Sequence, residues 1–501
     1  MTPLQRFSAP ALTEGSPGCP SRGWPRRIGV LNDYLRIPYA NGSSFASQFL
    51  YRELTLRGHS VTVIGPRDPH SRPDQLPERY AEMPSLPLKN HPGVYLPLPA
   101  PAALEDIVLR KLELVIGQTG SELAVLGTWL RRAHKIPFLC VNTIHLPSVY
   151  NVILPDRLNG DERIRGLFDQ RVVPWLERHS AEIYNQSDGL IVLSDGLERY
   201  WRKRGVSVPI HVIPRSVDPK IFDVTRPADP FSRAAKPGSR LIVVCRHTRE
   251  KNVVRLLEIC ARFIMPAFPD VTLTLVGDGP DHDAFRQCAR RLGIAGRCFF
   301  PGEYSISDMP NWYHHADLFV YTSLSETYGQ VVSEALWCGL PVVAFKDEMG
   351  VSQQVEHTLN GALVAPGPDP EVADWRFASE VAALLRDAPR RHRVGSTARQ
   401  LARLRSDPEL CIERYYAAFE AAARHCRENP APAPQIGDAF AFLRWTAIHG
   451  TLAALGCVRT PAVVNRHGRS RLDWRPLDHA RQRDRAADAE LADPKARRRI
   501  A

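Results

Sequence analysis

Apolar residues along this chain form short runs that alternate with stretches of helical spacing. Residues 27–33 predict a first strand, and apolar side chains at helical intervals over residues 45–56 predict a helix that ends at the Arg-Gly-His sequence of residues 57–59. Residues 61–64 predict a second strand. Together these elements make one β-α-β unit, in which the two strands run parallel.

The same alternation repeats in two successive series. Further strands of the first series are predicted at residues 112–116, 138–141 and 190–193, and the series closes near residues 212–214. Strands of the second series are predicted at residues 241–244, 271–276, 298–300, 318–321, 342–345 and 362–364. Strands that alternate with helices predict an α/β fold with two Rossmann-like, doubly wound parallel sheets. Such folds bind ligands at the carboxyl ends of the strands, here in a central cleft between the two domains.

The composition divides the chain into five parts. Residues 1–25 contain Pro, Ser and Gly without the apolar core of a secretory signal, and they predict a disordered leader. The two series of elements predict an N-terminal domain over residues 26–214 and a C-terminal domain over residues 215–406. Residues 407–429 predict a C-terminal helix that returns to the N-terminal domain, and residues 430–501 form a Pro- and Arg-rich extension.

The net charge and the cysteines limit the partners and the compartment. Lys and Arg number 65 against 54 for Asp and Glu, and the net charge of +11 favours phosphorylated ligands, acidic lipids or nucleic acid as partners. The ten Cys lack the spacing of zinc sites, so we expect reduced thiols in a cytoplasmic protein. A spanning helix needs about 18 consecutive apolar residues. The nearest candidate, residues 439–455, is shorter and is interrupted by Arg444 and His449.

Two carboxylates mark the segment of residues 325–343, whose sequence is SETYGQVVSEALWCGLPVV. Glu326 precedes a predicted helix and Glu334 lies two turns inside it, so we expect both to point toward the cleft. Free amides at the start of this helix can meet a phosphate at its positive end. These amides belong to Tyr328, Gly329 and Gln330. Taken alone, two acids at this spacing are more typical of an amphipathic surface helix, but the Gly-Leu-Pro-Val-Val run that follows strengthens the motif.

Two cations follow the first strand of the second domain. Arg246 and Lys251 lie in the loop of residues 245–252, Cys-Arg-His-Thr-Arg-Glu-Lys-Asn. Cleavage of a sugar–phosphate bond releases negative charge onto the diphosphate, and two cations beside a helix end can stabilise that charge without a metal. The alternative for this loop by itself is a solvated charged turn.

These motifs resemble the family 4 (group 1) retaining glycosyltransferases, which share the GT-B fold. The resemblance covers roughly residues 27–425. It implies that Glu326 faces the donor sugar and that Glu334 hydrogen-bonds the nucleotide ribose. It also implies that Arg246 and Lys251 clamp the donor pyrophosphate, in a loop where Cys replaces the usual Gly.

The resemblance extends to four further segments. Gly277 and Asp278 match the family's turn near the nucleotide, although a plain strand-to-helix turn is the alternative for the Asp278 side chain. Gly42 matches a glycine loop that approaches phosphate and acceptor, and His145 matches a position beside the reacting sugar. Residues 214–218, Pro-Arg-Ser-Val-Asp, resemble the family's connection between domains, with Ser in place of Gly.

The family implies a retaining transferase that moves a hexose from a nucleotide-diphosphate sugar to a hydroxyl acceptor, such as a glycolipid or polysaccharide precursor. We expect no metal or other cofactor and no covalent intermediate, because the departing phosphate helps to deprotonate the acceptor. Aromatic and aliphatic residues at 145–155, the basic tail and residues 439–455 favour an anionic membrane surface as a peripheral partner, while nucleic acid is not expected. For residues 145–155 themselves, a buried core is the slightly favoured alternative.

Two other functions stay open from the residues themselves. A nucleotide-sugar epimerase of the same fold would keep the phosphate clamp but would need an acid–base pair for elimination. A non-catalytic nucleotide- or nucleic-acid-binding protein would use the positive charge alone and would not need Glu326. The sequence selects neither the base and sugar of the donor, nor the acceptor, nor the oligomeric state.

Overall fold

The computed structural model describes residues 25–36, 45–69, 71–87, 95–98, 100–118, 123–142, 162–225, 227–231, 238–279, 281–324 and 326–434, with single helical positions between 437 and 451. Gly42 and His145 lie outside the described residues, as do most of the leader and of the C-terminal extension.

The first sheet is parallel and has seven strands in the order β3-β2-β1-β6-β7-β8-β9. The described strands of this half are β1 (Arg27–Asn32), β2 (Ser60–Pro66), β3 (Tyr80–Met83), β4 (Ser85–Pro87), β5 (Tyr95–Pro97), β6 (Leu114–Gln118), β7 (Phe138–Val141), β8 (Gly189–Val192) and β9 (Ile210–Val212). Strands β4 and β5 form a separate antiparallel pair. The sequence pattern did not predict β3, β4 or β5, which are short strands flanked by prolines.

The second sheet is also parallel and has six strands in the order β12-β11-β10-β13-β14-β15. Its strands are β10 (Arg240–Val244), β11 (Thr272–Val276), β12 (Cys298–Gly302), β13 (Leu318–Tyr321), β14 (Val342–Phe345) and β15 (Gly361–Val364). Every residue of β11, β13 and β14 is buried, as expected for strands covered on both faces. The two doubly wound sheets confirm the predicted α/β architecture.

Helices cover both faces of the two sheets. In the first half they are α1 (Phe45–Leu56), α2 (Pro101–Leu109), α3 (Leu123–His134), α4 (Glu162–Leu167), α5 (Val173–Tyr184) and α6 (Asp195–Lys203). In the second half they are α7 (Pro219–Phe222), α8 (Val253–Ile259), α9 (Met265–Ala267), α10 (His282–Arg291), α11 (Met309–His315), α12 (Gln330–Trp337), α13 (Gly350–Gln354), α14 (Pro370–Arg386), α15 (Ala388–Arg405) and α16 (Pro408–Glu428). Among the described residues, no helix is both long enough and apolar enough to traverse a bilayer.

Helix α16 returns the chain to the first sheet. Its buried residues Ile412, Tyr415 and Phe419 share one apolar core with Ile28 and Val30 of β1. The Asp407 side chain caps the helix by accepting a hydrogen bond from the amide of Leu410 at 3.0 Å. The chain therefore passes between the two sheets twice.

Candidate active site

The strand order of the second sheet brings two loops together at its carboxyl edge. Strands β10 and β13 are neighbours, with Leu241 opposite Leu318, while β11 lies on the other side of β10. The order of the strands thus reverses between β10 and β13, and the loops that leave such a point diverge to opposite faces and open a crevice. The loop of residues 245–252 follows β10, and Glu326 follows β13.

Lys251 and Glu326 meet across this crevice. The Lys251 ammonium forms an ion pair with Oε1 of Glu326. The same carboxylate oxygen accepts hydrogen bonds from the Tyr321 hydroxyl at 2.7 Å and from the Ser323 hydroxyl at 2.8 Å. Burial raises the pKa of Glu326, but the charge of Lys251 and these hydrogen bonds outweigh it, so the pKa lies below its ordinary value. Glu326 is therefore a carboxylate at neutral pH.

Arg246 enters the same region from the start of the loop. Its guanidinium is bonded to Glu250 at 3.0 Å, and the Thr248 hydroxyl donates to the same carboxylate oxygen at 2.5 Å. The Glu250 side chain is only 9% exposed, whereas that of Arg246 is 27% exposed and accessible from the crevice. The sequence analysis missed Glu250, although it stands four residues after Arg246 in the same motif.

Cys245 lies among these charges. Burial raises the pKa of its thiol to about 12, and the charges of Lys251, Glu326, Glu250 and Arg246 all act on it. A buried thiol with a raised pKa is inert, so Cys245 packs in the interior and does not act as a nucleophile.

The turn that contains Gly277 and Asp278 packs directly against the loop that carries Arg246. A Cβ atom on Gly277 would lie 1.9 Å from the Cys245 carbonyl oxygen, and the φ angle of Gly277 is +132°. The carbonyl of Asp278 accepts a hydrogen bond from the His247 amide at 3.0 Å, and its carboxylate accepts one from the Gly279 amide at 2.7 Å. This turn therefore fixes the loop, and its Asp278 side chain serves the turn itself.

Asn252 closes the loop on its other side. It has a φ of +55°, a left-handed conformation that Asn tolerates better than most residues. Its side-chain amide donates to the Thr322 carbonyl at 3.3 Å, and the Thr322 hydroxyl donates to the Asn252 carbonyl at 2.9 Å. These bonds join the loops that carry Lys251 and Glu326.

The start of α12 follows Glu326 closely in the chain, and the side chains there bond the connection between the two domains. Gly329 has a φ of +80° and stands just before the helix. The Tyr328 hydroxyl is buried and donates to the Arg215 carbonyl at 2.9 Å, and Gln330 donates to the Ser216 carbonyl at 3.2 Å. The first amides of a helix have no intrahelical acceptor, so only the backbone at this point is suited to bind an anion.

Glu334 differs sharply from Glu326. Its residue exposure is 5%, and its Oε2 accepts a hydrogen bond from the Tyr313 hydroxyl at 3.0 Å. Burial raises the pKa of Glu334 to about 7, while the hydrogen bonds from Tyr313 and Gln330 lower it. Glu334 is thus partly protonated at neutral pH and can donate as well as accept a hydrogen bond.

The corresponding edge of the first sheet carries a buried ion pair that sequence analysis missed. Arg36, after β1, bonds Asp68, after β2, at 2.5 Å, and both side chains are at most 4% exposed. Neither residue lies in a motif that the sequence analysis identified. Among the described residues there is no group of three or more His, Cys, Asp or Glu side chains arranged to hold a metal ion.

Two family models match this chain, one in each half. Residues 41–221 match "Glycosyltransferase Family 4", and residues 226–401 match "Glycosyl transferases group 1". The α-monoglucosyldiacylglycerol synthase of Streptococcus pneumoniae is 26% identical over 359 residues, which cover 68% of this chain and 77% of the relative. A GDP-mannose-dependent α-mannosyltransferase of Mycobacterium tuberculosis is 26% identical over 389 residues, 75% of this chain and 92% of the relative.

Solved structures give the same fold. Sucrose-phosphate synthase from Thermosynechococcus elongatus has a TM-score of 0.59 at 20% identity, over 79% of this chain and 100% of its own. HepE of Anabaena, solved in complex with UDP-glucose, has a TM-score of 0.58 at 20% identity, over 79% of this chain and 99% of its own. These likenesses, together with the two parallel sheets, confirm the expected GT-B fold.

Proposed function

The chain belongs to the group 1 glycosyltransferases of family 4, and from this premise we propose that it transfers a hexose from a nucleotide-diphosphate sugar to a hydroxyl acceptor with retention of configuration. One observation carries the proposal. Arg246, Lys251 and Glu326 converge at the β10/β13 crossover, where a doubly wound sheet binds its ligand.

The two cations have the chemistry to hold a diphosphate. In the structure each is bonded to a carboxylate, Arg246 to Glu250 and Lys251 to Glu326. Phosphate oxygens offer acceptors of the same kind with more charge, so a diphosphate can take over part of these bonds. The amides at the start of α12 add a further positive end beside them.

The reaction we propose exchanges one C1–O bond for another on the same face of the sugar. The bond from C1 to the donor phosphate breaks, the acceptor oxygen bonds C1, and the acceptor proton passes to the departing phosphate. Arg246 and Lys251 stabilise the charge on the diphosphate. Glu326 and His145 orient the donor sugar, and Glu334 bonds the ribose.

The remaining parts of the donor site follow from the same assignment. We assign Gly277 and Asp278 to the turn beside the nucleotide, and Gly42 to the loop that approaches the phosphate. No metal takes part in this scheme, so we expect transfer to persist after treatment with a chelator. A loss of turnover that Mg²⁺ or Mn²⁺ restores would contradict this point.

We further propose a glycolipid or polysaccharide precursor as the acceptor, with the protein held peripherally at an anionic membrane surface. One support is the net charge of +11, which attracts acidic lipids. The S. pneumoniae relative is by its name a synthase of a glucosylated diacylglycerol. Nucleic acid is not part of the proposal.

The test is incubation of the purified protein with labelled UDP- and GDP-sugars and with diacylglycerol, glycolipid and oligosaccharide acceptors. We expect one donor–acceptor pair to give a product whose anomeric configuration, read by NMR, equals that of the donor. An inverted product contradicts retention, and binding without transfer across the whole panel contradicts catalysis. For the variant Arg246→Ala, the matched control is Arg262→Ala, which removes an Arg of the same domain from a surface ion pair with Glu371.

A further inference from the structure

Arg215 lies in the first connection between the two domains, directly against the start of α12. Its carbonyl accepts a hydrogen bond from the Tyr328 hydroxyl at 2.9 Å, and the next carbonyl, that of Ser216, accepts one from Gln330 at 3.2 Å. The connection is also tied to the second crossing of the chain, where the Val217 amide donates to the Ser406 carbonyl at 3.0 Å. The position of Arg215 is therefore well fixed.

Among the described residues, the guanidinium of Arg215 forms no ion pair, although the charge of Glu326 acts on it. Among the same residues, its buried Nε atom has no hydrogen-bond partner. By contrast, Arg246 and Lys251 each have a carboxylate partner. Arg215 is only partly exposed, and a partly buried cation without an anion partner is suited to bind an anionic ligand.

The groups around Arg215 come from both domains. Burial lowers the pKa of Arg215, whereas Tyr415, Tyr328, Tyr34 and the charge of Glu326 raise it. Tyr34 follows β1 at the carboxyl edge of the first sheet, and Glu326 follows β13 at that of the second. Arginine stays charged even with its pKa lowered in this way. Arg215 thus belongs to the connection between the two halves, in the segment that contacts the start of α12.

Two sources of positive charge therefore lie in neighbouring segments, Arg215 and the amide end of α12. We propose that Arg215 is a third cation of the donor site, which binds the departing diphosphate from the connection between the domains. This inference rests on the proposed function, since it assumes that the crevice binds a diphosphate. Because Arg215 belongs to neither sheet, it links occupation of the donor site to the relative placement of the two domains.

Inorganic pyrophosphate is a direct probe, because it carries the anion without base or sugar. We would titrate the full-length wild type, Arg215→Met, Arg215→Lys and Lys220→Gln by calorimetry. Lys220 is exposed in the same segment and is the matched control for loss of one positive charge. We expect Arg215→Met to weaken binding about tenfold or more, as loss of a charge-assisted hydrogen bond does. Arg215→Lys should retain most of the affinity, and Lys220→Gln should equal the wild type.

Thermal unfolding separates a binding role from a structural one. Without pyrophosphate, Arg215→Met should melt close to the wild-type temperature, because the substitution breaks no ion pair among the described residues. With pyrophosphate, the wild type should gain thermal stability and Arg215→Met should gain much less. A variant that melts well below the wild type assigns Arg215 to the fold and overturns the proposal.

The proposal for Arg215 is also overturned if Arg215→Met and Lys220→Gln bind pyrophosphate with equal affinity. A wild type that does not bind pyrophosphate overturns it as well. Failure of the proposed function is a separate result. In that case the wild type transfers no sugar from the donor panel, whatever its affinity for pyrophosphate. A variant that binds pyrophosphate normally but loses affinity for an anionic acceptor would place Arg215 in an acceptor site and contradict the donor assignment.

Discussion

At the residue scale, the candidate site depends on charges that are held close together and partly screened from water. Glu326 keeps its charge because Lys251 and two hydroxyls bond it, whereas Glu334 lacks a cation and has a raised pKa. Two acids eight residues apart in one motif thus have different protonation behaviour. Their surroundings, rather than their spacing, decide it.

The first prediction concerns the two cations. Arg246→Ala and Lys251→Ala should each reduce kcat/KM for the donor by at least about a hundredfold, as loss of a preorganised charge at a reacting phosphate does. Turnover with the donor found in the panel measures this. Circular dichroism should show a folded protein in both cases. Unchanged turnover in both variants would refute the clamp.

The second prediction concerns Glu334. Because its folded pKa of about 7 exceeds the ordinary value of 4.5, the folded state binds more protons between these values, and stability falls as the pH rises from about 4.5 to 7. Glu334→Gln removes this penalty. It should stabilise the protein at pH 8 by up to about 3 kcal/mol relative to its effect at pH 4.5.

Thermal melts of the wild type and of Glu334→Gln across this pH range measure the difference. Glu258→Gln is the matched control, since Glu258 is an exposed residue of α8 in the same domain. A stabilisation by Glu334→Gln that is the same at both pH values would contradict the raised pKa.

At the scale of elements, the loops after β10 and β11 are built against each other. Gly277 has no space for a side chain beside the Cys245 carbonyl, and its φ lies in the region that favours glycine. The turn therefore fixes the position of the loop that carries Arg246. A substitution in this turn should therefore disturb the proposed phosphate site without changing the charge of any residue.

The third prediction follows from this contact. Gly277→Ala should destabilise the protein by about 2 kcal/mol or more, through both the clash and the positive φ, and should weaken donor binding. Gly296→Ala is the matched control, because a Cβ atom there meets nothing within 4 Å. Calorimetric titration and thermal melts measure the two effects. Wild-type donor affinity in Gly277→Ala would show that the turn does not position Arg246.

At the scale of the whole molecule, the two halves touch on one side of the cleft. A Cβ atom on Gly196, at the start of α6, would lie 2.3 Å from the Glu348 carbonyl oxygen and 2.8 Å from Cα of Met349. The Asp195 amide also donates to Gln353 of α13 at 2.8 Å. This close backbone contact holds the first domain against the second.

The fourth prediction concerns a larger side chain placed at this contact. Gly196→Val should push the domains apart, because backbone on the facing side cannot move away as a flexible side chain can. Transfer, which in the proposed scheme uses groups from both domains, should fall several-fold. Small-angle scattering and turnover measure this, with Gly166→Ala, an open position, as the control. A Gly196→Val variant with wild-type turnover would show that this contact is not needed for transfer.

The sequence by itself determined the order of strands and helices, because hydrophobic periodicity reports burial on each face of an element. It also identified the short motifs to which we assign the donor chemistry, since Arg246, Lys251 and Glu326 stand in local patterns after strands. Only the tertiary structure decided what surrounds them. The pairing of Lys251 with Glu326, the burial of Glu334 and the absence of an ion-pair partner for Arg215 among the described residues all depend on residues far apart in the chain. Local pattern cannot reveal such relations, because burial and charge pairing depend on which elements the fold places side by side.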